Sequence, residues 1–281
     1  MSHELRAKLT LSIHRATLIF SPKIYPYFSM IENLISKRKP SFFEIFLEGM
    51  GDLIYPNNCI LCRTFLKGNN RKTCLCEGCL LNIEHNYPPF CLKCSRHFSA
   101  TQPVCAECFH REYHFDCAFG ALFYNDCARR LIHLFKYANK TSLRTPLGKL
   151  MTAFAQTYQL PLEKFDLAVA VPLHPVRFRE RGYNQSSLLV EEISRAFRIP
   201  GSADNLIRIR HTQNQARIGI KNRWTNIHDA FRIKAPSEFE KKSILLVDDL
   251  LTTGTTASEA ARVLKQAGAH RVQVFTLALA V

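Results

Sequence analysis

A chain of 281 residues with 47% apolar content has room for two globular domains. Thirty-eight Lys and Arg against 23 Asp and Glu give a formal charge of +15, which suits nucleic acid, anionic lipid or polyphosphate ligands, or simply a solvated basic surface. No apolar run reaches membrane-spanning length, and Lys8, His14 and Arg15 interrupt the N-terminal apolar stretch, so neither a span nor an export signal is expected and the cytoplasm is the expected location.

Residues 1–41 read as a basic N-terminal extension without clear periodicity, either a flexible arm or a stretch read from an upstream start codon in error. Phe42, Phe43, Phe46, Leu47, Met50, Leu53 and Ile54 then fall on one helical face. That helix is expected to pack on the cysteine-rich segment after it, since Glu44, Glu48 and Asp52 weaken a membrane-surface role.

Residues 42–115 carry that helix and four CxxC pairs: Cys59/Cys62, Cys76/Cys79, Cys91/Cys94 and Cys105/Cys108. The first two pairs are 13 residues apart and the last two 10. A CxxC turn places two thiolates on one side of a metal, so two pairs complete a tetrahedron, and all-thiolate spacing of this kind points to zinc. Two structural zinc ions are expected, which would leave a charge of about +11. Spacing alone does not separate consecutive from alternate pairing; consecutive pairing is simpler. A disulfide framework would want an export signal. Cys74 is a spare that could replace Cys76, Cys117 and Cys127 read as small core residues, and His85, His97, His110 and His114 read as surface residues, because eight thiolates fill two sites.

Residues 116–281 change character. A strand is expected over 118–124, an amphipathic helix through Leu131, Leu134, Phe135 and Ala138, a second helix over 147–158, and a buried strand over 167–171. Residues 171–185 read as a cationic loop carrying His174, Arg177, Arg179 and Arg181, with Gly182 allowing close backbone approach. Arg supplies several donors and fixed charge, which a pyrophosphate needs. Leu188, Leu189, Ile193 and Phe197 mark another helix face. A second basic stretch runs through Arg208, Arg210, Arg217, Lys221 and Arg223, between strand positions near Leu206 and Phe231. It reads either as a flap over a reacting centre or as a nucleic-acid contact in which Trp224 and Tyr183 could stack on bases.

Ile244, Leu245, Leu246 and Val247 form a continuous apolar strand with Asp248 and Asp249 at its tip, followed by the turn Thr252, Thr253, Gly254, Thr255, Thr256. Thr256 and Glu259 have capping-box spacing, Ala257, Ala260, Ala261 and Leu264 share a helix face, and Gly268 stops that helix before an apolar strand over 271–280. Strand, turn, helix, strand is a βαβ unit, so the sheet is parallel and its ligand lies beyond the carboxyl ends of the strands. Hydroxyls, backbone N–H groups and a helix N-terminus can face a phosphate there, while the two carboxylates accept hydrogen bonds from ribose hydroxyls.

The string from Val247 to Thr256 resembles the phosphoribosyl-pyrophosphate (PRPP) loop of type I phosphoribosyltransferases. Together with Tyr55-Pro56, Phe135-Lys136-Tyr137, Pro172-Leu173, the run from Arg181 to Gln185, residues 212–215, Arg223 and Asn226, the layout resembles the ComF/GntX family over about residues 43–281. That resemblance implies an α/β fold: a Rossmann-like parallel phosphoribosyltransferase sheet with a small hood, preceded by a zinc-ribbon or knuckle module. It implies PRPP and Mg²⁺ as ligands, with Asp248, Asp249 and Arg181 in catalytic roles and residues 252–256 binding the ligand. It also implies a link to natural transformation, with single-stranded DNA and a helicase or recombination protein as partners. Two functions are then open: an enzyme transferring phosphoribose to a nitrogen nucleophile, or a nucleic-acid-binding module that senses PRPP or ignores it.

Overall fold

In the computed structural model, residues 58–66, 74–98, 103–202, 204–211 and 226–280 are described. The helix expected over 42–54 and most of the basic stretch after Arg210 lie outside them. In chain order the elements are α1 (Glu77–Leu81), α2 (Ala106–Phe109), β1 (Cys117–Phe123), α3 (Asp126–Tyr137), α4 (Arg144–Thr157), β2 (Leu167–Ala170), α5 (Pro175–Arg181), α6 (Gln185–Phe197), β3 (Gly201–Ser202), β4 (Leu206–Arg208), β5 (Phe231–Ile233), β6 (Ser243–Leu251), α7 (Thr255–Gln266) and β7 (Arg271–Leu279). No helix among the described residues is long and apolar enough to cross a membrane.

The apolar run at 244–247 becomes the middle strand of a five-stranded sheet ordered β1-β7-β6-β2-β3, every pair parallel. Residues buried on both faces explain why these strands read as continuous rather than alternating. Ala257, Ala260, Ala261 and Leu264 of α7 pack on Ile244, Leu246, Val272 and Val274, and the antiparallel β4–β5 pair closes that core with Leu206 and Phe231. Helices α4 and α6 cover the opposite face, where the Phe154 and Phe275 rings lie 6.3 Å apart.

Three local expectations change. Residues 175–181 are helical, not loop: Pro175 stands in the first turn, His174 caps it by accepting from Val176 N at 3.3 Å, and Gly182 ends it at φ +77°. Strand β6 runs on through both aspartates to Leu251. The capping box at Thr256 does not form. Gly254 caps α7 at φ +77° without a side-chain bond, and Glu259 instead accepts from Asp229 N at 2.7 Å and pairs with Arg262 at 2.6 Å.

The cysteine-rich segment and the sheet belong to one compact unit. The segment lies along the outer edge of β1, where an open strand would expose unpaired groups. His85 bridges Leu122, Asn86 N donates to Ala121 O at 2.9 Å, and Ala118 N donates to Lys93 O at 2.8 Å. Asn86 is fully buried, and its side-chain amide donates to Ser95 O at 2.7 Å and Gly120 O at 3.0 Å. Buried amides need such partners, so this residue fixes the register of the junction.

Candidate functional site

A cavity of about 890 Å³ opens beyond the carboxyl ends of β2 and β6. Val171 to His174 line it after β2, Asp248 to Leu250 at the end of β6, Thr252 just after it, Thr256 at the start of α7, and Lys136 and Tyr137 from the end of α3. This is the edge where open parallel sheets hold ligands.

The acid pair dominates its floor. Asp248 Oδ1 accepts from Ser186 Oγ at 3.0 Å and from Asp249 N at 2.9 Å. Burial and the neighbouring Asp249 carboxylate push the Asp248 pKa up to about 7, with Lys136 opposing. Asp249 is 3% exposed, and its Oδ2 lies 2.6 Å from Lys136 Nζ. Burial works against the Lys136 charge, yet the Asp249 carboxylate outweighs it and holds the lysine above its ordinary value.

Positive charge rings the pair. Arg129, Arg177, Arg181 and Arg208 all line the cavity with His133, His174 and His211. Arg181 donates to Tyr137 OH at 3.1 Å and lies 4.8 Å from that ring, which locks its plane. Its Nε is buried with no hydrogen-bond partner among the described residues, a donor suited to an anion. Arg208 sits 5.5 Å over Phe231, which carries the β4–β5 pair into the wall.

The turn after β6 divides its hydroxyls. Thr252 and Thr256 line the cavity, whereas Thr253 and Thr255 are buried and share a 3.1 Å hydrogen bond behind it. Gly254 makes the reversal: its left-handed φ of +77° strains other residues, and a Cβ there would come 2.7 Å from Tyr113 Cε1.

The eight cysteines separate into Cys59, Cys62, Cys76, Cys79 and Cys91, Cys94, Cys105, Cys108, each group with its sulfurs within 4.8 Å of one another. Pairing is therefore consecutive, and four convergent thiols are the donor set of a closed tetrahedral zinc site. Cys74 stands outside both groups, as do all the nearby histidines. Cys127 is half-buried and its Sγ–H donates to Cys79 O at 3.6 Å, so it touches the first cluster rather than the sheet core. His85 is half-buried, not a surface residue, and burial lowers its pKa to about 4.

Sequence reasoning put Asp248 and Asp249 at a strand end and Thr252 and Thr256 on the turn after it; they line one cavity with Arg181, which it had put on a loop and which ends helix α5. It missed the roles of Lys136 and Ser186. Lys136 sits at the last turn of an amphipathic helix, where a lysine is unremarkable; the string Phe135-Lys136-Tyr137 was the signal, and the contact with Asp249 gives it a role.

Fold and clusters together define a zinc-ribbon protein with a phosphoribosyltransferase domain. The double zinc ribbon domain family matches residues 50–110, and the phosphoribosyl transferase domain family matches residues 184–280. The chain is 32% identical over 227 residues to competence protein F of Haemophilus influenzae, covering 79% of this chain and 96% of that protein. It is 28% identical over 223 residues to the DNA utilization protein YhgH of Escherichia coli K12, covering 72% of this chain and 96% of that protein. Among solved structures, the glutamine PRPP amidotransferase of B. subtilis overlaps 51% of this chain and 30% of its own at 19% identity and TM-score 0.34, too loose a likeness to bear on function. The chain belongs to the ComF/GntX family, that of competence protein F.

Proposed function

We propose that the cavity binds PRPP together with Mg²⁺, and that the protein serves DNA uptake and the handling of single-stranded DNA in the cytoplasm. The competence and DNA-utilization names of its relatives support the second part. The observation that carries the first is the acid pair on β6 opening into a cavity walled by arginines beside a Thr/Gly turn that starts a helix.

In this reading Asp248 and Asp249 accept the ribose 2- and 3-hydroxyls. Residues 252–256 and the N-terminal end of α7 receive the 5-phosphate. Arg181 and its neighbours neutralise the pyrophosphate end. The oxygen donors Asp248 and Asp249 fit a hard cation such as Mg²⁺, which when bound would help neutralise pyrophosphate. In a transfer reaction the C1–O bond breaks with its electron pair leaving on pyrophosphate. A nitrogen nucleophile supplies the new C1–N pair and releases its proton to solvent. Catalysis is then positioning and charge stabilisation rather than acid–base work. Lys136 holds Asp249 in place in the free pocket.

The second reading keeps the ligand and drops the turnover: PRPP then acts as a signal on a DNA-binding protein. The basic cavity rim and the charge of +15 favour it. Calorimetric titration of PRPP with Mg²⁺ into wild type and Asp248→Asn/Asp249→Asn tests the shared core. Binding by wild type and its loss in the double variant are expected; no heat with wild type overturns both readings. Pyrophosphate release with a panel of nucleobases then separates enzyme from sensor.

A further inference from the structure

The turn that starts α7 is held from behind by the second cysteine cluster. Arg96 lies two residues past Cys94. Its Nη1 meets Glu107 Oε2 at 2.7 Å, and Glu107 sits between the ligands Cys105 and Cys108. Its Nη2 donates to Thr252 O at 2.9 Å. One guanidinium thus ties both halves of the ribbon to the turn, with its side chain 16% exposed.

Tyr113 makes the next contact. Its ring packs against the Cys91/Cys94/Cys108 cluster on one side and stacks on Phe115 of the sheet core at 4.7 Å and 18°. Its hydroxyl donates to Thr253 O at 3.1 Å. Its ring edge also occupies the space beside Gly254. One residue on, His114 N donates to Ser258 Oγ in the first turn of α7 at 3.0 Å.

Peptide geometry sets the consequence. In a trans peptide the carbonyl and the next N–H point in opposite directions. With the carbonyls of Thr252 and Thr253 bonded to the ribbon, the N–H groups of Thr253 and Gly254 face away from it. A ring of anion-facing amides needs this alignment, and an unsupported Thr/Gly turn would not keep it.

We infer that the second zinc ribbon is a positioning element of the phosphate turn, acting through Arg96 and Tyr113. This rests on the proposal that the turn receives the phosphate of PRPP. Zinc at Cys91, Cys94, Cys105 and Cys108 holds the two residues in register, so the metal acts on ligand binding without touching the ligand.

The test uses the whole, zinc-loaded chain and the variants Arg96→Gln, Tyr113→Phe and, as a control, Arg144→Gln. Arg144 also makes an ion pair, with Glu191 at 3.1 Å, but between α4 and α6. Zinc content per chain, hydrogen exchange of peptides over 250–258, and calorimetric affinity for PRPP with Mg²⁺ are read in parallel. Each single loss is expected to speed exchange of the turn about tenfold and weaken PRPP about tenfold, the effect of one hydrogen bond. Zinc content, exchange across β7 and the control should match wild type. Arg96→Lys should recover part of the affinity.

Unchanged exchange of the turn in both variants overturns the inference, as does faster exchange with full PRPP affinity. If Arg96→Gln sheds zinc, Tyr113→Phe, which removes one hydroxyl and leaves the ring, decides. A wild type that binds no PRPP ends the ligand proposal and the phosphate clause, while the exchange result still decides whether the ribbon fixes the turn.

Discussion

The two cysteine clusters share a donor set yet differ in what they hold. The first touches α3: Arg130 donates to Leu61 O at 2.7 Å, Cys127 reaches Cys79 O, and Asn125 donates to Asn82 O at 3.2 Å. It braces the start of the helix whose far end carries Lys136. The second touches the turn after β6 through Arg96 and Tyr113. It is also the more enclosed, with three buried thiols, where Cys62 of the first is exposed. The functional weight of a structural metal is therefore set by what its ribbon contacts, since the ligands are alike.

The largest expected effect separates them directly. Cys94→Ser/Cys108→Ser should lose one zinc, lower the melting temperature and abolish measurable PRPP binding. Cys62→Ser/Cys76→Ser should also lose one zinc and some stability, because structural zinc supplies folding energy. It should keep PRPP affinity within about threefold, since the bonds of the first ribbon named above go to α3 and its cap. Metal analysis with calorimetry checks both. Equal loss of affinity in the two variants would break the distinction.

Gly254→Ala sharpens it. The new methyl meets a left-handed backbone and the Tyr113 ring at once. A cost of about 3 kcal/mol is expected in urea unfolding, part strain and part clash. In a Tyr113→Ala background the same substitution should cost markedly less. A double-mutant cycle without coupling would mean that the ring yields freely.

Behind the turn the contacts stabilise the fold; in front of it the buried acid pair works against it. An unfolded aspartate titrates at 3.8, and Asp248 in the fold titrates at about 7. A raised carboxylate pKa favours the protonated form, so Asp248 costs nothing below pH 3.8, progressively more through that window, and most above about 7. Asp248→Asn should thus stabilise the fold at pH 8, on the order of 2 kcal/mol after allowing for partial exposure, and leave it unchanged near pH 3.5. Melting curves at the two pH values check this. Stability gained while PRPP binding falls would show the pair to be kept for its ligand.

Legibility in the sequence tracks the range of the interaction. The buried run before Asp248, the apolar face of α7 and the CxxC spacings are local, and their elements form with ends shifted by a few residues. Helix α5 reads as a loop because four of its seven residues, Arg177, Arg179, Glu180 and Arg181, are charged and bury no face. Pro175 and Gly182 were nevertheless its start and stop signals. Glu259 had capping-box spacing, but Arg262 and the Asp229 amide compete for it. The bonds from Arg96 and Tyr113 span 156 and 140 residues, and nothing local in the sequence marks a side chain for a carbonyl so distant.

The smallest effect asks whether the first ribbon is mute toward the site. Arg130 bonds Leu61 O from the middle of α3, two turns before Lys136. Arg130→Ala removes one donor to a carbonyl, worth about 1 kcal/mol of stability. A rigid helix transmits small displacements along its axis, so a loosened ribbon could reach Asp249 through Lys136. The packing argues otherwise: Leu131, Ile132 and Phe135 of α3 are each at most 2% exposed, and that core holds the helix whether or not the ribbon does. PRPP affinity in Arg130→Ala should therefore equal wild type while the urea midpoint drops slightly. An affinity change matching the Arg96→Gln variant would make α3 a second route from metal to ligand, and the two ribbons would be equals after all.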